Sequence, residues 1–180
     1  MNIFYLDKSP QEAAKLHCDK HVVKMIIEYA QLMSTAHRML DGTEYMDKTA
    51  NGRNIRRWLH ENSNYENTLY KASHINHPSA IWTRENVYNY NYVYKLFCAL
   101  CDEYTYRYNK VHASMRIYDL LTTKYTRWHE WDGCFTTPPQ CMPDEYKNAD
   151  YITAYRTYYR IAKKQFSHYT KRPIPEFMHD

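Results

Sequence analysis

Glycine is nearly missing from this chain of 180 residues: only Gly42, Gly52 and Gly133 occur. Hairpin turns and phosphate-cradling loops draw on glycine for positive φ and close backbone approach, so its scarcity argues for long helices joined by few turns. Neither the P-loop nor the dinucleotide-binding glycine signature is present, which excludes both of those nucleotide-binding folds. Apolar runs long enough to cross a membrane are missing too, so no membrane partner is expected. The five cysteines, Cys18, Cys98, Cys101, Cys134 and Cys141, are odd in number, and no signal peptide precedes them. Reduced thiols in a cytoplasm are the expectation. Cys98 and Cys101 form a CxxC, but residues 96–102 have helical spacing and make them small core residues. Net charge is modest at +4, which alone does not establish a nucleic-acid partner.

What the chain does have is aromatic. Twenty tyrosines and four tryptophans are interleaved with lysine and arginine, a mixture suited to stacking on bases and pairing with phosphates. One core suffices at this length. The fold expected is all-α: a compact single domain over residues 1–180, built around one mostly buried N-terminal helix with a short extended arm before it.

That helix opens at Ser9-Pro10-Gln11-Glu12, a capping box with proline at the first helical position, and ends at Gly42. Steps of about 100° place His17, His21, Lys24, Glu28, Gln31 and Thr35 in one narrow stripe. Val22, Val23, Met25, Ile26, Ile27, Ala30, Leu32 and Met33 wall that stripe in. Buried polar groups of such mixed chemistry are costly unless paired or open to a cleft, so the stripe marks a candidate site. The alternative is a solvated strip whose Lys24–Glu28 ion pair is worth only about 0.2–0.5 kcal/mol. In the cleft reading Lys24 is the nucleophile, its amine freed by desolvation and neighbouring cations. Glu28 serves as general base or stabilises a cationic sugar, and His17 or His21 shuttles protons. His17 and His21 also have the i, i+4 spacing of a metal pair, with Glu28, His37 or Cys18 to complete the shell. No HExxH glutamate falls between them, and Lys24 would repel a cation, so neither a metal nor another cofactor is expected.

Further along, residues 2–6 read as a strand or an extended arm. Residues 43–64 are polar, with Asn51-Gly52 as a loop signal. Arg53, Arg56 and Arg57 follow beside Trp58, as a phosphate-contacting loop or a solvated helix turn. A helix over 65–73, a break at Asn76-His77-Pro78, and a long helix over about 79–108 come next. Arg84, Asn86, Asn89 and Asn91 on that helix either read base edges or cap buried backbone groups. A short helix is expected over 111–124, an irregular functional loop over about 125–147, a last helix over 150–166, and a tail from about 170 to 180.

Several stretches together resemble the all-helical pyrimidine-dimer DNA glycosylase/AP-lyase group, the endonuclease V type of phages and its bacterial relatives. They are the Met1-Asn-Ile-Phe-Tyr-Leu start leading to His17, Asn76-His77-Pro78 with Trp82 and Cys101-Asp-Glu-Tyr104, and Met142-Pro143-Asp144-Glu145-Tyr146-Lys147 before Ala154-Tyr155-Arg156. The resemblance implies a helical domain acting on DNA, in which an N-terminal α-amine attacks the sugar C1′ to form a Schiff base and a glutamate on the first long helix supports it. Asn2 is too large for routine removal of the initiator methionine, and Lys24 stands where the family's glutamate belongs, with Glu28 one turn later. Lys24 is therefore the expected nucleophile. Arg53, Arg56, Arg57, His77, Trp82, Arg84, Asn86 and Tyr146 are the candidate DNA-contacting residues, and the setting is the host cytoplasm if the gene is a phage's. A phage-type transferase that modifies DNA bases, and a non-enzymatic nucleic-acid-binding or host-interaction protein, are the alternatives.

Overall fold

Ser9 opens the first helix in the way its sequence promises. Its backbone is extended, its hydroxyl accepts the Glu12 amide at 3.3 Å, and Pro10 begins α1 (Pro10–Leu16). The computed structural model describes residues 2–122 and 133–179. Part of the expected 125–147 loop, with Trp128 and Trp131, lies outside them.

The single helix expected between Ser9 and Gly42 is two helices. His17 and Cys18 are both extended, at ψ 134° and 160°, and α2 (Asp19–Asp41) starts afresh. Side chains from far along the chain hold the break open. The Cys18 amide donates to the Tyr159 hydroxyl at 3.1 Å, and Arg107 donates to the Lys15 carbonyl at 3.0 Å, a group that the end of α1 would otherwise leave unpaired. Arg107 also pairs with Asp19 at 2.8 Å, in the first turn of α2, and with Glu103 at 2.6 Å. Arg172 grips the same Glu103 at 2.8 and 3.0 Å, so the tail is drawn onto the domain, where Met178 is buried.

At Gly42 the chain passes straight from α2 into β1 (Gly42–Lys48). This strand pairs antiparallel with β2 (Asn54–His60), from Gly42 opposite His60 to Lys48 opposite Asn54. The fold is therefore mainly helical with one small sheet, and the all-α expectation is corrected over residues 42–60. Among the strand residues only Trp58 is buried, so no period-two apolar alternation announces the hairpin in the sequence. The Asn51-Gly52 signal does fall in its turn, with Gly52 at φ +74°. Close approach explains the other glycine: a Cβ on Gly42 would sit 2.5 Å from the Arg38 carbonyl oxygen and 2.9 Å from that of Leu59. Since both are backbone atoms, Gly42→Ala is expected to cost about 1–3 kcal/mol, read as a lower urea midpoint at unchanged slope.

The long helix expected over 79–108 is likewise divided, into α4 (Pro78–Glu85) and α5 (Val87–Tyr108). Asn86 breaks it: its backbone is extended, and its Oδ1 accepts the amides of Tyr88 and Asn89, both at 2.9 Å. Asn89 is buried as well and bonds the Trp82 carbonyl and Thr136. Both asparagines thus satisfy buried backbone and side-chain groups. Between β2 and α4 lies only a short α3 (Ser63–Thr68). A 3₁₀ turn, Ala113–Ile117, leads into α6 (Tyr118–Leu121), and Asp150 caps α7 (Tyr151–Ala162).

The arm at residues 2–7 is extended and runs through the interior rather than over it. Ile3, Tyr5 and Leu6 are fully buried. The Phe4 amide donates to the Tyr29 hydroxyl at 3.2 Å, the Tyr92 hydroxyl to the Asp7 carbonyl at 3.0 Å, and Arg156 to the Leu6 carbonyl at 2.8 Å. These bonds thread the arm between α2, α5 and α7. Arg38, 3 % exposed, gathers the next layer: it donates to the carbonyls of Trp58, Glu66, Leu69 and Tyr70 and to the Glu66 carboxylate. Among the described residues, no helix is long and apolar enough to cross a membrane.

Candidate functional site

The stripe foreseen on the first long helix separates into an inner and an outer part. His17 and His21 turn inward and are buried. His17 Nδ1 bonds the Ala13 carbonyl at 2.6 Å, while the His21 ring stacks on Phe4 at 4.4 Å and its Nδ1 meets the Tyr159 hydroxyl at 2.6 Å. Burial lowers their pKa values to about 4 and about 3, so both imidazoles are neutral at physiological pH. Because His17 lies at the end of α1 rather than on α2, the i, i+4 metal geometry drawn for the pair does not apply. Lys24 turns outward, with 65 % of its side chain exposed, and Val23 and Ile27 beside it are exposed as well. The lysine is therefore in water and not in the apolar pocket that the periodicity suggested.

Glu28 is where separate parts of the chain meet. Its carboxylate pairs with Lys24 Nζ at 3.2 Å and accepts the Asn2 backbone N–H at 3.1 Å. The Asn2 side chain continues the network: Nδ2 donates to the Cys141 carbonyl at 2.9 Å, and Oδ1 lies 3.0 Å from the Tyr155 hydroxyl, which accepts the Cys141 amide at 3.2 Å. Cys141 Sγ is 3.5 Å from Ser79 Oγ in the first turn of α4, and His77 Nδ1 caps that turn by accepting the Ser79 amide at 3.1 Å. Burial lowers the His77 pKa, and the nearby Glu28 charge opposes that shift.

No family model, curated protein or solved structure matches the chain.

Of the residues marked out in the sequence, the fold pairs Lys24 with Glu28 and brings His77 within reach of the Glu28 charge. Asn2, Ser79, Cys141 and Tyr155 join them, and sequence reasoning missed all four. Asn2 alone left a signal, as a polar residue fronting a run that is otherwise apolar. Arg53 and Arg56 are exposed on the hairpin, Arg56 being 3.6 Å from Glu44 and over the Trp58 ring at 5.7 Å, while Arg57 is half-buried and 4.0 Å from Asp47. Hairpin and Glu28 are separated by the last 13 residues of α2, a distance of about 20 Å. Trp82 is a core residue whose indole donates to the Thr136 carbonyl at 3.3 Å. Asn86 is buried at its cap, Arg84 is half-buried on α4, and Tyr146 packs on Tyr158 at 5.2 Å. A groove of about 350 Å³ runs between the hairpin and residues 72–75, with Arg56 and Trp58 on one wall and Ser73 and His74 on the other. The Ser73 amide donates to Thr35 Oγ1 of α2 at 3.2 Å, and the chain continues from there to His77 at the start of α4.

Proposed function

We propose that the protein acts on DNA as a glycosylase or abasic-site lyase, with its chemistry at Lys24 and Glu28. One observation carries this reading: the Glu28 carboxylate holds the Lys24 ammonium at 3.2 Å on the solvent side of α2. An amine that attacks deoxyribose C1′ must first lose a proton, and a carboxylate in ion-pair contact is positioned to take it. The N–C1′ bond then forms as the glycosidic bond breaks and the base leaves with a proton. Ring opening gives a protonated Schiff base, and loss of the C2′ proton expels the 3′ phosphate. Glu28 remains beside the cationic carbon throughout, and its charge reaches His77, at the start of α4. The Arg56–His74 groove supports a path for the phosphate backbone towards that point. The resemblance noted in the sequence contributes the amine-beside-glutamate logic.

Borohydride trapping on an oligonucleotide with one abasic site tests the reading. A covalent adduct that maps to Lys24 is expected, absent from Lys24→Ala and formed about 100-fold more slowly by Glu28→Gln. An adduct untouched by Lys24→Ala rejects the lysine, and if it maps instead to the N-terminal residue, that amine is the nucleophile. DNA binding that Arg56→Ala weakens, with no adduct from any amine, points to a binding module.

A further inference from the structure

Three metal-ligating side chains stand apart from that site. His37 and Asp41 are one turn apart on the last part of α2, and His60 is the final residue of β2. One donor atom from each, an imidazole nitrogen from either histidine and a carboxylate oxygen from Asp41, lies within 4.8 Å of the other two. Helical spacing gives His37 and Asp41 a common face. The hairpin register supplies the third donor, because pairing Gly42 with His60 returns the end of β2 to the end of α2.

The surroundings orient both rings. Tyr65 stacks on His60 at 4.7 Å and 16°, and its other neighbour is His37, at 5.3 Å. The Tyr90 hydroxyl gives its proton to the Leu121 carbonyl at 3.1 Å, so in its 3.0 Å contact with His37 Nε2 the oxygen accepts. His37 therefore carries its hydrogen on Nε2 and its lone pair on Nδ1. A ligating histidine is set in the same way by a hydrogen-bond partner on its other nitrogen. His37 is buried, whereas Asp41 and His60 are half-buried, so an ion held here keeps one side towards water.

We propose that His37, Asp41 and His60 bind a divalent first-row transition-metal ion of the Zn²⁺ class. Two imidazoles and one carboxylate suit Zn²⁺, Fe²⁺ or Co²⁺, whereas Ca²⁺ and Mg²⁺ call for oxygen-only shells. Bonds of about 2.1 Å bring tetrahedral donors to roughly 3.3 Å from one another, so each side chain closes by little more than about 1 Å. On His60 the ion displaces the Asn62 amide from Nδ1, at 3.1 Å, and Asn62 is exposed, so water replaces it. Three protein ligands leave a coordination position open, which is the pattern of a reactive or exchangeable centre rather than a closed structural one. The ion also ties the end of α2 to the base of the hairpin.

Calorimetric titration of the full, reduced, chelator-stripped protein with Zn²⁺ tests this. One ion per chain with a Kd of about 1 µM or below is expected. His60→Ala and Asp41→Ala each weaken it by more than about 100-fold, and Tyr90→Phe, which keeps all three ligands but loses the partner of Nε2 along with the bond to Leu121, by about 10-fold. Co²⁺ in place of Zn²⁺ gives visible ligand-field bands without the near-ultraviolet thiolate band that a cysteine site produces. Zn²⁺ raises the Tm of the wild-type protein but not that of Asp41→Asn, a readout that survives if an alanine variant folds poorly. A wild-type Kd weaker than about 100 µM, a thiolate band, or alanine variants that bind as tightly as wild type overturn the proposal.

Discussion

Acidification of the metal-free protein from about pH 7.5 to about pH 5 is expected to remove roughly 6 kcal/mol of folding stability. Three histidines cause it. Burial lowers His17 to about 4, His21 to about 3 and His37 to about 2, so each stays neutral in the fold well below the value of 6.5 that it regains on unfolding. A depressed folded pKa means that the unfolded chain binds the extra proton. The stability is therefore complete above about pH 6.5 and is lost as pH falls towards the folded values. At about pH 5 each imidazole contributes a loss of about 2 kcal/mol, and the slope approaches 4 kcal/mol per pH unit. Glu103 and Asp19 extend the loss. Burial raises each, but hydrogen bonds from Arg172, Arg107 and Thr170 outweigh it and hold both carboxyls below their ordinary values, so protonation below about pH 4.5 costs further. Since domains of this kind have only about 5–15 kcal/mol to lose, unfolding before pH 4 is expected. Urea titrations at a series of pH values measure it, and a stability that stays level down to about pH 5 contradicts neutral burial of the three rings.

Arg38→Met is expected to cost about 3–5 kcal/mol, the largest effect of any single substitution considered. Its guanidinium serves four backbone carbonyls and the Glu66 carboxylate at once, in a position 3 % exposed. Methionine fills the space but donates nothing, which leaves inward-facing carbonyls and a carboxylate without their cation. The loss concentrates where β2 and residues 66–70 meet α2, so Trp58 emission should shift to the red at a lower urea concentration than far-UV helicity declines. Coincident transitions at the wild-type midpoint would show that water substitutes for the guanidinium.

Features set by a few neighbouring residues were legible in the sequence. Ser9 and Pro10 start a helix, Gly42 ends one, Asn51-Gly52 turns, and Lys24 meets Glu28, because each depends on contacts within four residues. Features decided at long range were not. Helical periodicity runs unbroken through His17 and Cys18, yet Tyr159 and Arg107 satisfy the backbone there and make a corner possible. The hairpin escaped because Trp58 alone among its strand residues is buried, so it lacks the alternation that signals a strand. Periodicity drew Lys24 and the two histidines as one stripe, but the break at His17–Cys18 puts His17 on another helix, and within α2 His21 faces the core while Lys24 faces water. The meeting of Glu28 with Asn2, His77 and Cys141 is a property of packing alone. Between these extremes lies His37 with Asp41, a pair readable by spacing whose third member needs the strand register.

The corner between α1 and α2 has a kinetic side. Cys18 is sealed inside it, its sulfur 3.5 Å from the Tyr159 hydroxyl, while Cys134 lies exposed. A thiol-labelling reagent therefore runs on two clocks. Cys134 reacts at the reagent's intrinsic rate, whereas Cys18 reacts only in those molecules whose corner has momentarily opened. The ratio of the two rates gives the opening equilibrium of that corner in the native protein, without denaturant.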